Sequence, residues 1–144
     1  MMKKTLISVI LLLAIVFSTH AQQHCFFTHY SIEDGLSQNT VMNILQDHKD
    51  NLWFATWDGI NRFNGRSMKS YKLGTNQRFS DASGSTTMLT ISPNNSLYAY
   101  NNVGRIYRYN LLTDQFELYL DLAEHIYMGL VLHYLFIDSQ EQLW

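Results

Sequence analysis

Four side chains within six residues, Trp57, Asp58, Asn61 and Arg62, form the densest group in the sequence that could do chemistry. An indole can stack on the C–H face of a sugar ring, while a carboxylate, a planar amide and a guanidinium bond its hydroxyls. The chemistry in view is reversible, ligand-binding recognition of a polyhydroxylated molecule. Asn101, Asn102 and Arg105 form a weaker group of the same kind. A plainer account competes and is preferred on sequence alone: Trp57 packs between sheets, and Asp58-Gly59 is turn chemistry.

Catalytic and metal signatures are sparse. Histidines stand at 20, 24, 29, 48, 125 and 133, with no cysteine or second pair at ligand spacing, so no metal site and no cofactor are expected. No Gly-x-Ser-x-Gly nucleophile elbow and no Gly-x-x-x-x-Gly-Lys phosphate loop occur. Asp and Glu are scattered through the chain, and no pair of them is marked out for glycoside chemistry. The reading is of a protein that is not an enzyme.

The elements that would position these residues follow from composition and repetition. Of 144 residues, 14% are aromatic and 15% charged, which suits strands and argues against disorder. A formal net charge of −2, without clustered Lys and Arg, gives no basis for nucleic-acid binding. The first 21 residues have the form of a signal peptide: Lys3 and Lys4, an apolar run from Leu6 to Phe17, then Thr19 and Ala21 as small residues before a cleavage site. A spanning helix needs about 20 apolar residues, and Gln22, Gln23 and His24 end this run early. Export to the periplasm is expected, with cleavage after Ala21. Removing Lys3 and Lys4 leaves eight basic residues against twelve acidic, a net −4. Cys25 is the single cysteine, so no internal disulfide can form, and Gln22 and His24 do not fit a lipoprotein box.

A repeat of about 45 residues organises the rest. Leu52-Trp53, Leu97-Tyr98 and Leu143-Trp144 each follow an apolar strand and a polar turn. Gly59 and Gly104 coincide, and Phe63 falls opposite Tyr109. A unit of this size with four short strands is a propeller blade. The fold class expected is all-β, a β-propeller fragment of about two four-stranded blades plus the start of a third. The first blade's strands are placed near 40–46, 51–56, 59–64 and 67–72. The domain reading is a lead-in over 22–39, blades over 40–86 and 87–132, and the start of a third over 133–144. Trp53 and Tyr98 are expected in the core between sheets. Trp144 closes the turn of a third unit, so the chain reads as a fragment, and in isolation it is expected to aggregate or be partly molten.

The run Phe27-Thr28-His29-Tyr30-Ser31-Ile32-Glu33-Asp34-Gly35-Leu36-Ser37-Gln38 carries a resemblance. With Val41, Ile44-Leu45-Gln46-Asp47, Leu52-Trp53, Ala55-Thr56 and Asp58 to Gly65, it resembles the opening of two-component regulator propellers. These are the periplasmic sensor regions of Bacteroidetes-type hybrid two-component systems. The resemblance is dense over 27–65 and fades through the second unit. It implies a receptor of two propellers of about seven blades, an immunoglobulin-like domain, a membrane helix, a histidine kinase and often a DNA-binding output. It also implies an oligosaccharide ligand, the remaining blades and kinase region as partners, and a parent able to form a homodimer. Kinase activity would lie outside this chain. Two departures stand out: Asp50 and Asn51 replace the glycine usual before Leu-Trp, and Asn101-Asn102-Val103 replaces Thr56-Trp57-Asp58. In such rings an early strand often completes the last blade, a role that falls on Phe26 to Ser31. The alternative from another class is a fragment of a secreted propeller enzyme, a polysaccharide lyase or glycosidase, because architecture does not fix function.

Overall fold

The computed structural model describes residues 26–73, 86–122 and 131–144. The expected signal peptide and Cys25 lie outside the described residues. Among the described residues, eight strands form two antiparallel sheets: β1 (Val41–Gln46), β2 (Leu52–Thr56), β3 (Gly59–Phe63) and β4 (Met68–Tyr71), then β5 (Thr87–Ile91), β6 (Leu97–Asn101), β7 (Arg105–Asn110) and β8 (Gln115–Asp121). Each sheet is a meander in chain order. This is the all-β blade architecture expected from the repeat.

The turns are set by local chemistry. Between β1 and β2 the Asp47 amide donates to Asn51 O at 3.0 Å, and the Asp50 amide donates back to Asp47 O at 3.0 Å. The same two bonds recur at Ser92–Ser96 and at Asp138–Gln142. The closing residue is left-handed in all three: Asp50 (φ 62°), Asn95 (φ 63°) and Glu141 (φ 60°). This is the conformation a glycine would adopt most easily, and Asp and Asn tolerate it. At the β2–β3 turn a side chain on Gly59 (φ 156°) would meet the Tyr71 carbonyl oxygen at 3.0 Å.

Strand alternation sends one face of each sheet forward and one back. Trp53, Ala55 and Ile60 of the first sheet pack with Tyr71 and Leu73 against Leu89, Leu97, Ala99, Tyr107 and Phe116 of the second. The forward face of the second sheet, Tyr98, Tyr100 and Ile106, packs against Leu135 and Ile137. Trp53 and Tyr98 are 1% and 0% exposed, so the repeating aromatic is core. The third unit is a short hairpin, with Ile137 bridged to Leu143.

The lead-in lies on the back of the first sheet. A 3-10 turn, Ile32–Asp34, is capped by Ser31 and ends on Gly35 at φ 103°. Beyond it Leu36 is buried, and Tyr30 sits 4.9 Å from the Phe63 ring. Residues 26–30 hold no strand, and Phe26 and Phe27 are exposed.

Candidate functional site

The four residues singled out by type do not form one cluster. Trp57 and Asp58 are the β2–β3 turn, and both are exposed, Trp57 by 59%. The indole therefore does not pack between sheets; its N–H donates to Met42 Sδ at 2.9 Å, which fixes the ring beside β1. The Asp58 amide donates to Thr56 Oγ1 at 3.3 Å, which is turn chemistry. The turn thus presents a fixed aromatic face beside a solvated carboxylate.

Asn61 and Arg62 are consecutive in β3 and so point to opposite faces. Asn61 is 0% exposed and faces back. Its Oδ1 accepts from the Ser37 amide at 2.9 Å and Ser70 Oγ at 2.8 Å, while its Nδ2 donates to Ser37 Oγ at 2.8 Å. Ser37 Oγ also lies 2.8 Å from Thr56 Oγ1. Together these bonds fasten the lead-in to the sheet.

Arg62 faces forward. It pairs across the strands with Trp53, and its guanidinium lies 5.5 Å from that ring centroid. Nη1 donates to Tyr109 Oη at 2.8 Å and to Asp114 Oδ1 at 3.1 Å, both on the second sheet. Tyr71 Oη donates to the same Oδ1 at 2.8 Å, and Lys69 and Tyr109 bond the same carboxylate. Burial opposes charge on Asp114, but the bonds from Lys69, Tyr109 and Tyr71 and the charge of Arg62 hold its carboxyl well below the usual range. This clamp joins residues 43–52 apart in sequence, and nothing in the local pattern singles out Asp114. The repeat gives only a hint, since Arg62 and Arg108 follow Gly59 and Gly104 at similar distances.

An open cleft of about 520 Å³ lies between the sheets at the end opposite Trp57. Lys49, Asn51, Arg62, Ser96, Arg108 and Glu117 are among its lining residues. Opposite charges there nearly balance, and most of the polar groups bond one another. Among the described residues, no His, Cys, Asp and Glu converge in a group that could hold a metal.

Comparison with known proteins agrees with this geometry. The sequence model of the family described as Two component regulator propeller matches residues 35–58, which cover the end of the lead-in, β1, the Asp47 turn, β2 and the exposed turn. Histidine kinase P4 of Formosa agariphila is 42% identical over 66 residues, 45% of this chain and 5% of that protein. The solved extracellular domain assigned to a hybrid two component system of B. thetaiotaomicron superposes with a TM-score of 0.59 and 26% identity, over 81% of this chain and 17% of that one. The extracellular domain assigned to a one component system of the same organism gives 0.58 and 21%, over 84% and 17%, and supports the fold alone. The chain therefore spans a small fraction of the length of these relatives. The repeat, the meander order and the matched residues make this chain similar to two-component regulator propellers.

Proposed function

We propose that the chain is a ligand-sensing segment of a two-component receptor, exported by its N-terminal signal to the periplasm or cell exterior, and that its ligand is an oligosaccharide. The observation that carries the binding reading is the β2–β3 turn, where Trp57 is held by Met42 with most of its ring in solvent beside Asp58. A ring fixed in place with its face in water offers a flat apolar surface, and the C–H face of a sugar ring suits such a surface. Likeness to an extracellular domain of a hybrid two component system supports the location and the sensing role. Binding would act by changing how neighbouring sheets pack, with the kinase elsewhere in the receptor. Asn61 is fully buried beneath the lead-in and Arg62 is held in the inter-sheet clamp, so in this reading they serve the fold and Trp57 and Asp58 meet the ligand.

The test is tryptophan fluorescence of the purified chain titrated with oligosaccharide fractions, alongside Trp57→Ala. Saturable quenching lost in Trp57→Ala, and a matching phosphorylation response of the whole receptor, is the expected result. If no fraction changes the emission and the receptor responds equally with Trp57→Ala, the reading fails.

A further inference from the structure

The turns that join the third and fourth strands of the two sheets share one design. Between β3 and β4, Asn64 Oδ1 accepts from the Arg66 amide at 3.0 Å and the Ser67 amide at 2.9 Å. Between β7 and β8, Asn110 Oδ1 accepts from the Leu112 amide at 2.9 Å and the Thr113 amide at 3.4 Å. Two details set the turns apart. Asn110 is followed by Leu111, whereas Asn64 is followed by Gly65, at φ 86°, where even a Cβ would meet nothing within 4 Å. Asn110 Nδ2 donates to Glu117 Oε1 at 2.9 Å. Among the described residues, Asn64 Nδ2 has no acceptor. Residues 64–67 are all exposed, and Asn64-Gly65 is the one Asn-Gly pair in the sequence.

We propose that Asn64 is a modification site, converting without an enzyme to aspartate and isoaspartate while Asn110 stays intact. The Gly65 main-chain nitrogen attacks Asn64 Cγ and gives its proton to water. The Cγ–Nδ2 bond breaks, and the nitrogen takes a proton from water and leaves as ammonia. Water then opens the five-membered imide, at Cγ to give aspartate or at the main-chain carbonyl carbon to give isoaspartate. The Arg66 and Ser67 amides point at Oδ1, the atom that gains negative charge as the nitrogen adds, which is how an oxyanion hole acts. Gly65 carries no side chain to crowd the attack. At Asn110 the Leu111 side chain crowds it, and the leaving amide must first give up its bond to a carboxylate, which alone is worth about tenfold in rate.

The two products differ for the fold. Aspartate keeps the chain length, and its carboxylate accepts from the same two amides. Isoaspartate routes the main chain through Cβ and Cγ, adding one carbon to a tight turn, and so displaces the bond from Asn64 N to Ser67 O at 3.3 Å. The next rungs pair Phe63 with Met68 and Arg62 with Lys69. Arg62 and Lys69 both hold Asp114 of the β7–β8 turn. Isoaspartate at this position therefore loosens the clamp between the sheets from a site outside it. The inference concerns the covalent chemistry of the turn and is independent of the sensing reading.

The test incubates the folded natural chain at mildly alkaline pH and follows each asparagine by peptide mass mapping, with an isoaspartyl methyltransferase to mark isoaspartate. Asn64 should convert at least about ten times faster than Asn110, and Glu117→Ala should narrow that gap by freeing the Asn110 amide. Asn64→Asp should melt with the fresh chain, whereas the isoaspartate-enriched aged chain should melt about 4 °C or more below both. Equal conversion at the two asparagines, or no isoaspartate at residue 64, overturns the modification site. A gap that Glu117→Ala leaves unchanged overturns the role given to the held amide. An aged chain that melts with Asn64→Asp overturns the loosening of the clamp.

Discussion

Asp47→Ala and Asp138→Ala remove the same group from two copies of one turn, and they should differ sharply in effect. Asp47 Oδ1 accepts from the amides of Lys49 at 2.8 Å and Asn51 at 3.0 Å; Oδ2 accepts from Asn51 Nδ2 at 2.9 Å and from the Trp53 indole at 2.8 Å. Burial works against its charge, but these donors hold its carboxyl below the usual range. Asp138 takes the amides of Gln140 at 2.8 Å and Gln142 at 2.9 Å and the Trp144 indole at 3.1 Å. The bonds match, whereas the indoles do not: Trp53 is 1% exposed and Trp144 70%. In Asp47→Ala the Trp53 N–H stays buried without its acceptor, a penalty of about 1–3 kcal/mol, and the turn amides add about 0.5–1 kcal/mol. A total near 2–3 kcal/mol, with a urea slope of about 1.5 kcal/mol/M, lowers the unfolding midpoint by roughly 1.5–2 M. In Asp138→Ala, water replaces the lost acceptor of an exposed indole, so only the turn-amide cost of about 0.5–1 kcal/mol remains and the midpoint should fall by no more than roughly 0.3–0.7 M. Urea unfolding followed by circular dichroism measures both. Equal shifts in the two variants, or a shift under about 0.5 M for Asp47→Ala, would refute the reasoning that burial of the indole sets the cost.

Asn61→Ala should cost about 2–3 kcal/mol, because it unpairs Ser37 and Ser70 at a fully buried position. It should also speed proteolysis of the lead-in, and unchanged protection there would count against a fastening role. Asp50→Gly should gain about 0.5 kcal/mol in the same urea assay, since it relieves a left-handed residue at φ 62°; a loss of stability would show that the Gln46–Asp50 bond outweighs the backbone term. Tyr98 is pushed up to about 12 by burial and by its bond to Glu141. The folded state thus disfavours its phenolate, so stability is full below about pH 10, the unfolded value, and falls as pH rises towards 12. Tyr98→Phe should flatten part of that slope, with Tyr71 and Tyr109, also raised by burial, supplying the rest. Asp47, Asp114 and Glu141 are all depressed, so acid stability should hold above about pH 4 and be lost below it.

What the sequence made legible was local. The polar turn at 47–50, Gly59 and the 45-residue recurrence placed the first four strands to within about two residues, because hairpin turns and period-2 alternation act between near neighbours. The aromatic after Leu was legible as core for the same reason. The candidate site was legible only in part. Adjacent strand positions cannot share a face, so Asn61 and Arg62 could have been separated by counting alone. That Arg62 meets Asp114, 52 residues on, depends on how two sheets dock, and no spacing rule reaches that far. Trp57 was expected between sheets because its type is usually core; it lies outside because β2 ends at Thr56 and the turn carries the next residue away from the sheet.

The three turns also show how one position can change residue type and keep its function. Where the repeating aromatic is Trp53 or Trp144, the turn holds Asp47 or Asp138, and the indole N–H, which can only donate, bonds back within its own unit. Where the aromatic is Tyr98, the turn holds Ser92, whose hydroxyl accepts from the Ser96 amide at 3.1 Å and leaves no carboxylate for the ring. The phenol then reaches forward to Glu141 of the next unit. A Trp unit therefore satisfies its ring before its neighbour arrives, and a Tyr unit depends on its neighbour to do so. On this reasoning the junction between the second and third units is the more sensitive to changes in sheet packing. Glu141→Gln should weaken that junction while leaving the Trp53 turn intact, and hydrogen exchange that slackened equally at both junctions would argue against a difference between them.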